Sequence, residues 1–206
     1  MKKIPRLILP LSMWVIASSA IAQTAPPPQN PAAVWSFDQF LGNDPNVKMV
    51  AEPTARVHDP IVGFPTQADG VVGQALKLDG LATRLTRPAD KAPALGEAFS
   101  FEGWIALQEY PWNWAAILNQ EAERKAGWFF GISGEGRLGL HVAKDGKWIE
   151  CNSKSQLPLL QWAHVAGSYD SISGLKVFIN GKLEGEIKTT GPITPVKGVD
   201  LLLGLS

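Results

Sequence analysis

The sequence predicts an all-β domain, an antiparallel two-sheet sandwich, and three observations carry that prediction. From Gln74 onward, short runs of alternating apolar and polar residues recur at close spacing, with glycine, asparagine or aspartate between them. No stretch keeps a helical period, and many short strands without helices pack as two sheets. Residues 162–187 read as three strands joined by two tight turns, the second at Asn180-Gly181, the strongest hairpin signal in the chain. For that turn the alternation favours a three-residue loop, 179–181, with Gly181 as a left-handed bulge. This register puts Leu175, Val177, Leu183 and Ile187 on one face and sets Lys176 opposite Glu184.

Residues 1–22 have the layout of a secretory signal peptide: basic Lys2, Lys3 and Arg6, an apolar run over 7–17, and the small-x-small signal Ala20-Ile21-Ala22. A proline-rich linker, 23–32, follows, and one domain spans 33–206. Residues 33–38 read as a first strand with Trp35 and Phe37 on one face. The stretch 43–64 carries Pro45, Pro53 and Pro60 and reads as mostly loop with one edge strand near 47–51. Further strands are expected near 75–79, 84–87, 99–107, 115–119, 128–133, 137–142, 148–151 and 199–205. In the run 99–107, Phe99, Phe101, Ile105 and Leu107 share a face, the period of a strand packed on a core. In the run 137–142, Leu138, Leu140 and Val142 point one way and Arg137 and His141 the other.

Three ordered motifs carry a family resemblance: Gly73-Gln-Ala-Leu-Lys-Leu-Asp-Gly80, Phe99-Ser-Phe-Glu-Gly-Trp-Ile105, and Trp162-Ala-His-Val-Ala-Gly-Ser-Tyr-Asp170 before the Asn-Gly turn. Over residues 34–206 the chain resembles laminin-G-like, concanavalin A-like jelly-roll modules. The resemblance implies a jelly roll, and modules of this kind continue into a further strand beside the first. The chain is therefore expected to be C-terminally truncated, the front of a longer protein, with residues 33–38 left at a sheet edge. The resemblance also implies calcium as a cofactor. Asp38, Asp79 and Asp170 fall at strand ends where carboxylates could contribute, although no ligand loop is recognisable.

Composition narrows the function classes. Nineteen basic and nineteen acidic side chains balance without a block of like charge, which argues against nucleic acid and anionic membrane surfaces. No second long apolar segment follows residue 22, so no membrane span is expected in the mature chain. Cys151 is the only cysteine, which removes an internal disulfide and a thiolate zinc cluster, and it reads as a small buried hydrophobe.

No catalytic constellation appears. The Glu-x-Asp-x-Glu strand of jelly-roll glycosidases is absent. Glu121 and Glu123 sit in a charged loop, EAERK, and Glu184 and Glu186 lie beside Lys176 and Lys182. His58, His141 and His164 are scattered, and His164, inside the family-like motif, reads as packed and hydrogen-bonded. Among the tryptophans, Trp35, Trp104 and Trp162 read as core. Trp112 and Trp114 fall at a turn signal, where they either stack on a sugar ring or cap the core. A second candidate surface is the outward face of the middle strands, with Arg137, His141, Trp148 and Glu150.

These residues point to a secreted, non-catalytic binding module for carbohydrate or glycoprotein, an N-terminal accessory domain placed in a periplasm, at a cell surface or outside the cell. The alternatives are the non-catalytic front of a secreted glycoside hydrolase and a structural adhesion domain without a small ligand.

Overall fold

The computed structural model describes residues 31–204, and every regular element in it is a strand. Residues 1–22, read as a signal peptide, most of the proline-rich linker and the end of the last expected strand lie outside the described residues. No helix among the described residues is long and apolar enough to cross a membrane.

Strands β1 (Val47–Glu52) and β2 (Val57–Val62) form a hairpin, and β3 (Thr66–Asp69) and β4 (Gln74–Lys77) form a small separate one. They are followed by β5 (Arg84–Arg87), β6 (Ala98–Ala106), β7 (Ala115–Ala122), β8 (Ala126–Ile132), β9 (Arg137–Lys144) and β10 (Lys147–Gln156). The chain closes with β11 (Trp162–Asp170), β12 (Gly174–Ile179), β13 (Lys182–Ile187) and β14 (Leu201–Leu203). One sheet has the order β1-β2-β5-β14-β7-β8-β9-β10, the other β13-β12-β11-β6, and all their ladders are antiparallel. Strand β14 is inserted between β5 and β7.

The main core lies between the sheets. Trp128 and Phe130 of β8 and Leu138, Leu140 and Val142 of β9 meet Val165 and Tyr169 of β11 and Leu175 and Val177 of β12. Phe99, Phe101, Ile105 and Leu107 pack on this cluster, as their alternation requires, and Phe101 stacks on Trp128 at 4.2 Å between ring centroids. Cys151 is buried in the same layer. Burial pushes its thiol up to about 11, so it stays protonated at neutral pH.

Four expectations need correction. Residues 33–38 are not a strand, and therefore present no sheet edge. Their polar groups are tied instead to side chains: Val34 N–H donates to Glu52 Oε1 at 3.0 Å and the Trp35 indole N–H to Asp59 Oδ2 at 2.7 Å. The stretch 43–64 is a hairpin rather than mostly loop. Pro60 is tolerated in β2 because the ladder to β5 begins only at Ile61, so its missing N–H is not needed on that side.

The Asn180-Gly181 turn has two residues, not three: Ile179 pairs with Lys182, and both turn residues have positive φ (51° and 76°), as a type I′ turn demands. The extra residue enters inside β13, where the register slips between Val177 and Phe178, so that Lys176 faces Glu186 and not Glu184. Glu184 is buried, accepts from Ser155 N–H at 3.1 Å and pairs with Lys182 at 2.8 Å.

Trp104 is not core. Residues of its parity on β6 face outward, leaving it 51% exposed beside His164, with ring centroids 5.3 Å apart. Trp162 shares this outward parity on β11 and is half-buried. His164 is half-buried too: its backbone N–H donates to Asn180 Oδ1 at 2.9 Å, and its ring lies 3.8 Å from Glu102.

A buried charge cluster, which no sequence pattern announced, joins the β1–β2 hairpin to β5. Arg87 is fully buried between Glu52 and Asp59, donating from Nε to Asp59 Oδ1 at 2.8 Å and from Nη2 to both carboxylates. Trp35 lies under the guanidinium at 5.1 Å.

Candidate functional site

The connection between β6 and β7 crosses the outer face of the large sheet and brings the two candidate surfaces together. Tyr110 anchors it, donating from its hydroxyl to the Leu157 carbonyl at 2.8 Å. Asn113 Oδ1 accepts from Trp114 N–H at 2.8 Å, fixing the turn that sends successive tryptophans in different directions.

Trp114 folds down onto the sheet. Its ring sits edge-on to His141 (4.5 Å) and to Phe129 (5.7 Å). Gly139 makes this approach possible: a Cβ there would lie 2.7 Å from the Trp114 ring and 2.7 Å from His141 Nε2. Trp112 turns away and is 94% exposed. Of the two, only Trp114 packs against the sheet, on its outer face rather than on the main core.

The result is an open groove of about 360 Å³. Trp112, Asn113 and Trp114 line one side, the β8–β9 turn contributes Ser133 and Glu135, and Arg137, Glu150 and Asn152 reach in from β9 and β10. Of the residues singled out from sequence, Trp112, Trp114, Arg137 and Glu150 share this groove. His141 lies beneath it, buried, and Trp148 stands behind His141 at 6.0 Å, off the groove wall.

Burial lowers the imidazole's pKa against the opposing pull of Asn152 and Glu150, so His141 is neutral at pH 7. It is in hydrogen-bond contact with Asn152 through Nε2 and Oδ1 at 2.8 Å. With Nε2–H as donor, the Asn152 amide N–H2 stays available to the groove.

Asn113, Glu135 and Asn152 were not foreseen. Asn152 was legible, since it shares the parity of Trp148 and Glu150 on one strand. Glu135 belongs to a turn whose position over the sheet only the fold reveals.

The acidic residues suggested for calcium do not gather. Asp79 Oδ1 accepts the N–H groups of Leu81, Ala82 and Thr83, which bring its carboxyl down to about 2. Asp170 Oδ1 caps Ile172 and Ser173, and Asp38 Oδ1 accepts from Gln74 N–H at 2.8 Å. Among the described residues no three His, Cys, Asp or Glu side chains are grouped to hold a metal ion.

Sequence comparison places this geometry in a family. The Concanavalin A-like lectin/glucanases superfamily matches residues 82–206. The chain belongs to this superfamily. The sandwich is accordingly a concanavalin A-like jelly roll. No curated protein matches the sequence.

Similar solved structures include domain 4 of AbnA, a GH43 extracellular arabinanase from Geobacillus stearothermophilus, in complex with arabinotriose. It is 19% identical with a TM-score of 0.56, covering 70% of this chain and 68% of that one. The binding domain of Paraclostridial Mosquitocidal Protein 1 is 13% identical with a TM-score of 0.56, covering 76% of this chain and 45% of that one. The binding domain of Botulinum Neurotoxin DC in complex with SialylT is 16% identical with a TM-score of 0.56, covering 75% and 40%. The chain therefore spans less than half the length of these two toxin binding domains. At such identities the likeness establishes the fold alone.

Proposed function

We propose that the domain is a non-catalytic carbohydrate-binding module, exported from the cell, whose ligand lies in the groove beside Trp112. The observation that carries this reading is the 94% exposed indole of Trp112 at the rim of a groove lined with amides and carboxylates. An indole face stacks on the C–H face of a sugar ring, while Asn113, Asn152, Glu135 and Glu150 offer donors and acceptors to its hydroxyls. A similar fold in complex with arabinotriose and another in complex with SialylT support the class of ligand. A glycoprotein is a ligand through its glycan on this reading.

The groove supports binding rather than hydrolysis. Glu135 and Glu150 are both exposed, whereas the acid of a hydrolase is usually set in a water-excluded pocket. Glu121 and Glu123 flank the β7–β8 turn, where they engage Arg124 N–H and Lys125. The domain then serves as an accessory module, delivering an activity elsewhere in a longer protein to its polysaccharide.

Pull-down on insoluble polysaccharides and calorimetry on a soluble glycan panel test the reading. Trp112→Ala is expected to weaken binding by about 2 kcal/mol, roughly thirtyfold in Kd, with unfolding unchanged within ~0.5 kcal/mol. Trp114→Ala is expected to destabilise the fold by about 2–3 kcal/mol, because its ring packs on His141 and Phe129. Retention of no glycan, or undiminished binding by Trp112→Ala, refutes the groove as the site. A structural adhesion domain would show the first of these results.

A further inference from the structure

We infer that the groove selects neutral glycans and discriminates against uronic and sialylated ones, with Glu150 and Glu135 as the discriminating residues. The inference rests on the carbohydrate reading above and specifies its ligand class.

The charge on the groove walls carries it. Two carboxylates, Glu135 and Glu150, face one guanidinium, Arg137. That guanidinium is already engaged. Its Nε lies 3.3 Å from Glu135 Oε2, and its Nη1 donates to the carbonyls of Ser153 at 3.0 Å and Lys154 at 2.7 Å. A sugar carboxylate could pair bidentately with it only through Nη2 together with Nε or Nη1, and so in competition with Glu135 or a backbone carbonyl.

Glu150, by contrast, has no cationic partner within salt-bridge distance among the described residues. The one imidazole beneath the groove, His141, is neutral at pH 7 and adds no positive charge. Arg124, whose charge reaches His141, rises from the turn preceding β8, whereas Glu135 sits in the turn that follows it. The groove thus carries one net negative charge on its walls. An exposed carboxylate there accepts hydrogen bonds from sugar hydroxyls and repels a ligand carboxylate.

Matched pairs differing in one acidic group isolate the effect: lactose against sialyllactose, galacto-oligosaccharides against galacturono-oligosaccharides, gluco- against glucurono-oligosaccharides. Calorimetry at low salt is expected to show the acidic member about tenfold weaker than its neutral counterpart, a gap that narrows as salt screens the repulsion. Glu150→Gln is expected to narrow the gap at constant salt. Acidic members binding as tightly as neutral ones, or a gap insensitive to both salt and Glu150→Gln, overturns the selectivity while leaving the glycan reading intact. Failure of every neutral and acidic member to bind refutes the glycan reading itself, and the selectivity falls with it.

Discussion

Replacing Arg87 by methionine removes the one positive charge from a buried cluster and leaves two carboxylates behind. Arg87, Glu52 and Asp59 are between 0% and 1% exposed. The substitution deletes three hydrogen bonds to those carboxylates and the contact over Trp35. Glu52 keeps the N–H groups of Val34, Thr54 and Ala55, but Asp59 keeps only the Trp35 indole.

Breaking a buried pair by removing one partner costs about 3–5 kcal/mol, and loss of the cation–π contact adds ~1 kcal/mol. Arg87 Nη1 is buried without a partner, which offsets part of this, because methionine relieves that unmet donor. A net loss of about 3–4 kcal/mol is expected at pH 7, a large share of the ~5–15 kcal/mol that holds a domain together.

The pH dependence gives an independent check. In the wild type, burial works against ionisation of Glu52, but the N–H groups of Ala55, Val34 and Thr54 outweigh it and hold the carboxyl down at about 2. Its contribution is present above the ordinary value of 4.5 and is lost as pH falls towards 2. Glu52 keeps these N–H groups in the variant, so the difference from wild type is expected to persist from pH 7 to 5, above the range in which Glu52 titrates. Urea unfolding followed by tryptophan fluorescence at both pH values measures this. A loss below ~1 kcal/mol at pH 7, or a difference that grows on acidification, would refute the argument.

Two further predictions concern the floor of the groove. Gly139→Ala forces Trp114 and His141 apart, since the new methyl would lie 2.7 Å from each. It should cost about 1–3 kcal/mol in urea unfolding and weaken glycan binding in calorimetry, whereas Gly96→Ala, where a Cβ meets nothing within 4 Å, should leave both unchanged. His141, its pKa lowered chiefly by burial, contributes stability that is present above its ordinary 6.5 and lost as pH falls below that value. His141→Gln should therefore flatten the fall in melting temperature between pH 7 and 5, and an unchanged slope would show that other groups control it.

Strands such as β6 and β11 were legible because each buries one face, and alternation reports burial directly: Phe99, Phe101, Ile105 and Leu107 turn inward on the core. The same alternation placed Trp104 outward, although its place in a family-like motif suggested core. The β1–β2 hairpin was hidden because its buried face mixes apolar and charged residues: Val50 and Ile61 pack with Leu85, while Glu52 and Asp59 share that face. Glu52, Asp59 and Arg87 look like surface charges until the fold buries them together, and Pro60 looks like a breaker until one side of β2 is seen to lack a ladder there. The bulge in β13 was likewise unreadable. The two-residue turn follows from Asn180-Gly181, but the slip that follows it turns Glu184 towards Ser155, on a strand distant in sequence.

By itself the sequence determined the sandwich, the family and the residue types suited to a sugar, because period-two patterning and turn chemistry are local. Which of those residues meet was decided by tertiary structure. Trp112 and Trp114 are two positions apart, yet one is free and the other is packed, because a backbone turn at Asn113 and the bare backbone at Gly139 admit one ring to the sheet and leave the other in solvent. Arg137 and Glu150 share a groove with them because β9 and β10 run beneath the loop, whose docking on the outer face of the sheet is a long-range contact that no local pattern reports.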